Sequence, residues 1–325
     1  MLGCIQPVLL DELPPTAAET VDSGDVYWID LDTPNEHELK RIYEQFMPIH
    51  PLTLSDTIFP QRNPEEHPHF PKVEEFRDYL FVIVNPPLPS PLHGTAQAIG
   101  QLSAVLNHTI LITHHYGPLV GIAELSGYLM RHEEQAERGP DYLFHLILDS
   151  IVDEYAPMLD QMSDELEILE EAIFEQPTPL VLERLIEVKR RVIGSRKTLI
   201  MTREVLARLT RGEFKLVDAR EMAYYRNVYD HLSRYTELIE SAREMVGDLI
   251  QLHMAAMSNR LNNVMKFLTM ISTIVLPMTL IAGIYGMNLK LKPDDTFAGG
   301  FYFALILMAV CGGSSFAFFR YRRWI

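Results

Sequence analysis

Cysteine is nearly missing from this chain of 325 residues: there are two, Cys4 and Cys311, one near each end. That excludes a disulfide framework and any cysteine-rich metal motif, and it fits a reducing compartment. A secretory signal is also lacking, because MLGCIQPVLLDELPPTAAET has neither a charged start nor a continuous apolar core. The first domain is therefore expected to stay in the cytoplasm. Basic residues are scarce, 28 Lys and Arg against 44 Asp and Glu, and the deficit is uneven. Residues 260–325 hold seven basic and two acidic groups, so the remaining 259 residues carry a net charge of −21. Such a surface repels phosphate over a Debye length of about 8–10 Å, which excludes nucleic acid as a partner and concentrates cations instead. No ATP-binding loop and no covalent-catalysis motif occurs, so an enzyme is not expected and no prosthetic group is called for.

Long apolar runs are absent until Phe267. From there to Met287 the chain is uncharged for 21 residues. At about 1.5 Å per residue this crosses a hydrocarbon core of roughly 30 Å. A second run covers 299–319 and ends in Arg320, Arg322 and Arg323. Arg260 and Lys266 precede the first run, while Lys290 and Lys292 between the runs are matched by Asp294 and Asp295. The asymmetry predicts that both termini lie inside, in the cytoplasm; the expected location is the inner (plasma) membrane of a prokaryote-type cell.

Two spans cannot enclose a water-filled path, so conduction requires several copies with one span of each lining an axis. Stepping by four and three along the first span gives Met265, Thr269, Ser272, Leu276, Thr279 and Gly283, a stripe rich in small and hydroxyl side chains. Such a stripe serves either a pore or plain helix packing in lipid. Met265, Leu268 and Leu276 are either apolar constrictions that close by dewetting or packing residues at a seam. Pro277 deprives the Thr273 carbonyl of its helical partner and marks a bend.

The part before the membrane reads as an α/β layer, with strand-like runs at Val26–Leu31, Tyr79–Val84 and Leu102–Thr113 and a helix from Asn35 to Phe46 opened by a capping box with Glu38. Its histidines include His67, His69, His114 and His115; they form either a zinc site or ordinary loop and strand-end positions, and no zinc spacing is present. A helical hairpin follows, broken at Pro177-Thr178-Pro179. Its first arm is acidic (Asp164, Glu165, Glu167, Glu170, Glu171, Glu175) and its second basic (Lys189, Arg190, Arg191, Arg196, Lys197). These groups form salt bridges on a wet surface or attract hydrated cations. From Asp218 one helix is expected to run to the first span, with Tyr225, Val228, Leu232, Tyr235, Ile239, Ala242, Val246 and Leu249 in a coiled-coil seam. A seam this long calls for partner helices and hence for homo-oligomerisation.

The first span closes on Tyr285-Gly286-Met287-Asn288, and it is preceded by SNRLNNVMKFLT and contains Leu276-Pro277. This stretch resembles the CorA family of divalent-cation channels, as does the separate match of His50-Pro51-Leu52-Thr53-Leu54 with Lys72 to Phe81. The resemblance implies a pentameric funnel: an α/β cytoplasmic domain, a long helical stalk and two C-terminal transmembrane helices. The corresponding divisions are 1–138 (α/β), 139–216 (hairpin), 217–266 (stalk), 267–287 (pore-lining span), 288–298 (external loop), 299–319 (second span) and 320–325 (basic tail). It also implies a selectivity filter at Tyr285, Gly286, Met287 and Asn288, where a ring of amides holds hydrated magnesium through its first-shell water. Asp294 and Asp295 take the place of the family's acidic outer ring, with Lys290 and Lys292 opposing them. The stalk would carry regulatory divalent sites. Asn227 and Gln251 stand where the family has aspartates, leaving Asp230, Glu244 and Asp248 as the sensing carboxylates. The function implied is inward Mg2+ movement. The alternatives are zinc, cobalt or nickel transport, with or without proton coupling, and a membrane-anchored metal sensor that conducts nothing. The partners are further copies of the chain, the lipid bilayer and divalent cations, Mg2+ or Zn2+ being cargo or regulator.

Overall fold

The computed structural model describes residues 26–64, 66–88, 99–287 and 297–324. Clustering of contacts divides the chain into two compact units, residues 1–172 with 179–250, and residues 173–178 with 251–325.

In the first unit, strands β1 (Tyr27–Asp32), β2 (Lys72–Glu75), β3 (Leu80–Val84), β4 (Leu102–Leu106) and β5 (Ile110–His115) form one sheet in the order β1-β5-β4-β3-β2. Only β1 and β5 run parallel. Helices α1 (Glu36–Phe46) and α2 (Pro51–Arg62) cover one face, where Leu39, Ile42, Tyr43 and Ile58 pack with Phe81, Ile83, Val105 and Ile112. Helix α5 (Pro140–Asp153), reached through α3 (Val120–Leu129) and α4 (Glu133–Ala136), lies against β5, β1 and β4. Coverage on both faces explains why β3, β4 and β5 are buried at every position and read as unbroken apolar runs.

Local chemistry sets several boundaries. The Asn35 side chain accepts from the Glu38 N–H at 2.9 Å while Glu38 accepts from the Asn35 N–H at 2.8 Å, the reciprocal box that opens α1. The run expected as one strand over Leu102–Thr113 is two, because the Asn107 carboxamide accepts from the N–H groups of Thr109 and Ile110 at 2.9 and 2.8 Å and turns the chain. Helix α2 has no apolar periodicity to announce it. Pro51 at its first turn and His50 Nδ1, accepting from the Leu52 N–H at 3.2 Å, start it instead.

The hairpin consists of α6 (Tyr155–Glu175) and α7 (Pro179–Thr210), and the next helix, α8 (Met222–Gly286), runs 65 residues without interruption, Pro277 included. Gly212, between α7 and α8, has φ 68°, and a Cβ there would meet Met222 Cε at 2.6 Å. Within the first unit the α8 seam is closed by the same chain: Tyr225, Val228, Leu232 and Ile239 are fully buried. Tyr225 donates to the Asp141 carbonyl on α5, and Arg196 on α7 pairs with Glu240. The expectation that this seam needs helices from other copies is corrected, because the chain's own helices fill it.

In the second unit, the membrane end of α8 lies beside α9 (Phe297–Tyr321). Both are long and apolar enough to cross a membrane, and almost nothing in their apolar windows is buried.

Candidate ion pathway and regulatory face

Two contacts with α9 and one with Trp324, just beyond its end, define which side of α8 meets the second span. The Tyr285 and Phe303 rings lie 6.2 Å apart, Met278 Sδ lies 3.4 Å from where a Cβ on Gly312 would stand, and Lys266 Nζ sits 5.5 Å over the Trp324 ring. At about 100° per residue, the stripe Met265, Thr269, Ser272, Leu276, Thr279, Gly283 falls on the opposite side of the helix. All six are exposed, Leu276 at 68%, and so is Leu268. The second span leaves the small and hydroxyl stripe uncovered, together with Ile271, Val275, Leu280 and Ile284 on the sides between.

The stripe's threonines are turned onto their own helix: Thr269 donates to the Met265 carbonyl at 2.8 Å and Thr279 to the Val275 carbonyl at 2.9 Å. Each hydroxyl spends its hydrogen internally and keeps its oxygen lone pairs outward, as acceptors toward water. Tyr285 is half-buried against Phe303, while Gly286 and Met287 are exposed at the helix end. Asn288, Asp294 and Asp295 lie outside the described residues.

Asn227, Asp230, Glu244 and Asp248 are exposed on the side of α8 away from its buried seam, and Gln251 at the start of the second unit is exposed as well. Among the described residues no trio of His, Cys, Asp and Glu within the chain is placed to hold a metal ion. A site using Asp230, Glu244 or Asp248 would need ligands beyond the described residues of this chain. Glu165 is bound by Arg184 and Arg191, and Glu240 by Arg196 and Arg243, whereas Glu167, Glu170, Glu171 and Glu175 have no ion pair among the described residues.

The histidines do not converge. His114 and His115 are neighbours on β5 and so point to opposite faces. His114 is buried with Nε2 3.1 Å from the Thr57 carbonyl, and burial pushes its pKa down to about 4. His115 sits between Asp30 (3.4 Å) and Asp32 (3.6 Å); burial opposes its charge, but the Asp30 carboxylate outweighs that and holds the pKa above the ordinary value. His69 approaches Asp56 at 3.4 Å, and His67 is exposed. These are strand-end and loop positions, as the second of the two readings has it.

Sequence reasoning did not find the junction that fixes the start of α8. Arg138 makes two 2.9 Å bonds to the buried carboxylate of Glu221 and stacks on Tyr142 at 3.7 Å and Tyr224 at 4.7 Å. Asp141 accepts from the Asp218 N–H at 2.9 Å beside it. Arg138 and Glu221, and likewise Asp141 and Asp218, are more than seventy residues apart, and no local pattern announces these pairs.

An α/β unit followed by one long helix with an apolar end and a second apolar helix defines a class, the two-span membrane proteins with a large extramembrane domain. A profile of the family described as "CorA-like Mg2+ transporter protein" matches residues 23–323, and the chain belongs to that family of divalent-cation transporters. It is 30% identical to the cobalt/magnesium transport protein CorA of Thermotoga maritima, over 94% of this chain and 85% of that one. It is 27% identical to the putative metal ion transporter YfjQ of Bacillus subtilis, over 94% and 92%. The solved complete structure of the CorA magnesium transporter from Methanocaldococcus jannaschii superposes with a TM-score of 0.79 at 25% identity, covering 92% of each chain.

Proposed function

We propose that this chain is one protomer of a homo-oligomeric channel, pentameric as the family resemblance implies, that admits Mg2+ to the cytoplasm down its electrochemical gradient. The observation that carries this reading is the uncovered hydroxyl and small-residue stripe on α8, opposite the side that meets α9. Copies of α8 arranged around an axis would join their stripes into a wall of hydroxyl acceptors and apolar rings. Asn288 from each copy would form an amide ring at the mouth, gripping the ion's water without a carboxylate's deep charge trap. Membrane voltage supplies about 4.6 kcal/mol per 100 mV for a divalent ion. The channel would lie in the plasma membrane, with both termini inside on the charge asymmetry around the spans.

The acidic outer face of α8, with Asp230, Glu244 and Asp248, would bind regulatory divalent cations between copies. Amides at Asn227 and Gln251 weaken that binding, because hard cations prefer carboxylates. Cytosolic Mg2+ should therefore close this channel less steeply than relatives with paired aspartates. The outer loop, through Asp294 and Asp295, would gather cations at the entrance.

Flux into proteoliposomes, resolved by metal, tests the reading. Mg2+ uptake that falls at least about tenfold in Asn288→Ala, a loss of about 1.4 kcal/mol of selective binding, supports it. Undiminished flux in the variant removes the amide filter, zinc uptake in preference to Mg2+ replaces the cargo, and no divalent flux at all turns the chain into a sensor.

A further inference from the structure

We propose that His115 is a proton-operated clamp at the edge of the sheet. Carrying two ring protons it ties edge strand β1 to the turn that leaves β5, and losing one of them as pH rises lets the end of β1 and its turn loosen. The clamp lies wholly within the first unit and does not depend on the channel reading.

The strand register puts the parts together. In the parallel pair of β1 and β5, Asp30 lies opposite Thr113 and Asp32 opposite His115, and alternation turns all four side chains to one face. That face is the one α5 covers, because His114 points to Thr57 of α2 on the other. Among the described residues β1 is bonded to β5 alone. The Thr113 hydroxyl accepts from Trp28 Nε1 at 2.9 Å and donates to Asp30 Oδ1 at 2.6 Å, which leaves Oδ2 toward His115 Nε2 at 3.4 Å. At the other ring nitrogen, Nδ1 lies 2.7 Å from the Gly117 carbonyl and 3.6 Å from Asp32 Oδ1. The clamp closes over a strained turn. Thr33 has φ 50°, a left-handed conformation costly for a β-branched residue. Its N–H donates to the His115 carbonyl at 2.8 Å and its hydroxyl to Asp32 at 2.8 Å.

Both ring nitrogens of the buried His115 therefore face oxygen acceptors. A neutral imidazole has one N–H and one lone pair, so either tautomer sets a lone pair against an oxygen, whereas the imidazolium donates at both ends. The charges that reach the ring are Asp30 and Asp32 from β1 and His114 from its own strand, and α5 contributes none. Burial holds His114 neutral near pH 7, with a pKa of about 4, so the clamp turns on a single proton. At His115 burial opposes the charge, but the bond to Asp30 and the nearby carboxylates outweigh it and raise the pKa above 6.5. A group raised on folding contributes its stability in full below its unfolded value and loses it as pH rises through the folded one. The short contact with Gly117 keeps the remaining proton on Nδ1. The Asp30 bond is then the one given up, and β1 is the strand released.

NMR of the full-length protein in detergent, labelled with 15N-histidine, tests the clamp; the His115 signals are those missing from His115→Gln. They should titrate with a midpoint above 6.5, and Asp30→Asn, which removes the charge, should lower that midpoint by about one unit or more. Hydrogen–deuterium exchange read by mass spectrometry follows the consequence. With intrinsic rates corrected for pH, peptides covering residues 31–33 should exchange at least about threefold faster at pH 8.5 than at pH 6 in the wild type. The pH dependence should vanish in His115→Gln. It should also vanish in Asp30→Asn, with exchange slow throughout, because the new amide donates to the lone pair of a neutral ring. A His115 midpoint at or below 6.5, a midpoint unmoved by Asp30→Asn, or the wild-type pH dependence of exchange in His115→Gln would each overturn the proposal.

Discussion

At the scale of single residues, buried charge and buried neutrality make opposite demands on this fold. Glu221 is almost fully enclosed and depends on Arg138 for both of its 2.9 Å bonds. Removing the guanidinium in Arg138→Ala leaves a carboxylate without a partner, a loss of about 3 kcal/mol that adding Glu221→Gln should partly restore. Denaturant melts of the full chain in detergent check this; additive losses in the double variant would deny the coupling. His114 and His145 are held neutral, burial bringing each to about 4, with the Arg138 charge adding to the effect at His145. Their folded pKa values lie below the ordinary one, so the unfolded chain binds more protons between about pH 6.5 and 4 and stability falls as pH drops through that window. From pH 7 to pH 5 the loss should be on the order of 2 kcal/mol for each histidine. His115, whose pKa is raised, works in the other direction. A stability profile flat over this range in wild type, or unchanged in His145→Phe, would contradict the assignment. None of these pairings was legible in the sequence. A histidine's environment depends on which strand face it occupies, and Arg138 and Glu221 meet only through the tertiary fold.

At the scale of elements, periodicity was the most informative signal. The capping box, the Pro177–Pro179 breaker and the α8 seam all appear where the spacing places them. What spacing could not give was the partner: a three-four seam looks the same whether another copy or the chain's own hairpin fills it. The distinction has a measurable consequence. Leu232, fully buried in the seam, should cost about 3 kcal/mol on replacement by Ala, whereas Leu238, 50% exposed on the other side of α8, should cost less than about 1 kcal/mol in the isolated protomer. Equal losses would mean that the seam is not packed as described. Helix α2 carries no sequence signal because it has no apolar stripe, and β4 and β5 read as one run because both are buried on two faces and lack alternation.

At the scale of the whole molecule, the two apolar helices and the strongly acidic remainder sufficed to separate a membrane part from an extramembrane one. The α/β-plus-stalk architecture was legible through the family resemblance. The pore stripe was legible as a list of small and hydroxyl residues, but its meaning was not. A packing surface and a pore lining share composition, and only the placement of α9 shows that the second span leaves this side of α8 open. The central claim is that this open side lines the cation path. It is tested most directly by Mg2+ uptake into proteoliposomes carrying Ser272→Cys or Ile274→Cys, in a Cys4→Ser, Cys311→Ser background, before and after a charged, water-soluble thiol reagent. The account predicts that uptake through Ser272→Cys falls at least about tenfold on modification while Ile274→Cys, on a different side of the helix, is unaffected. Block at Ile274→Cys with none at Ser272→Cys would contradict it.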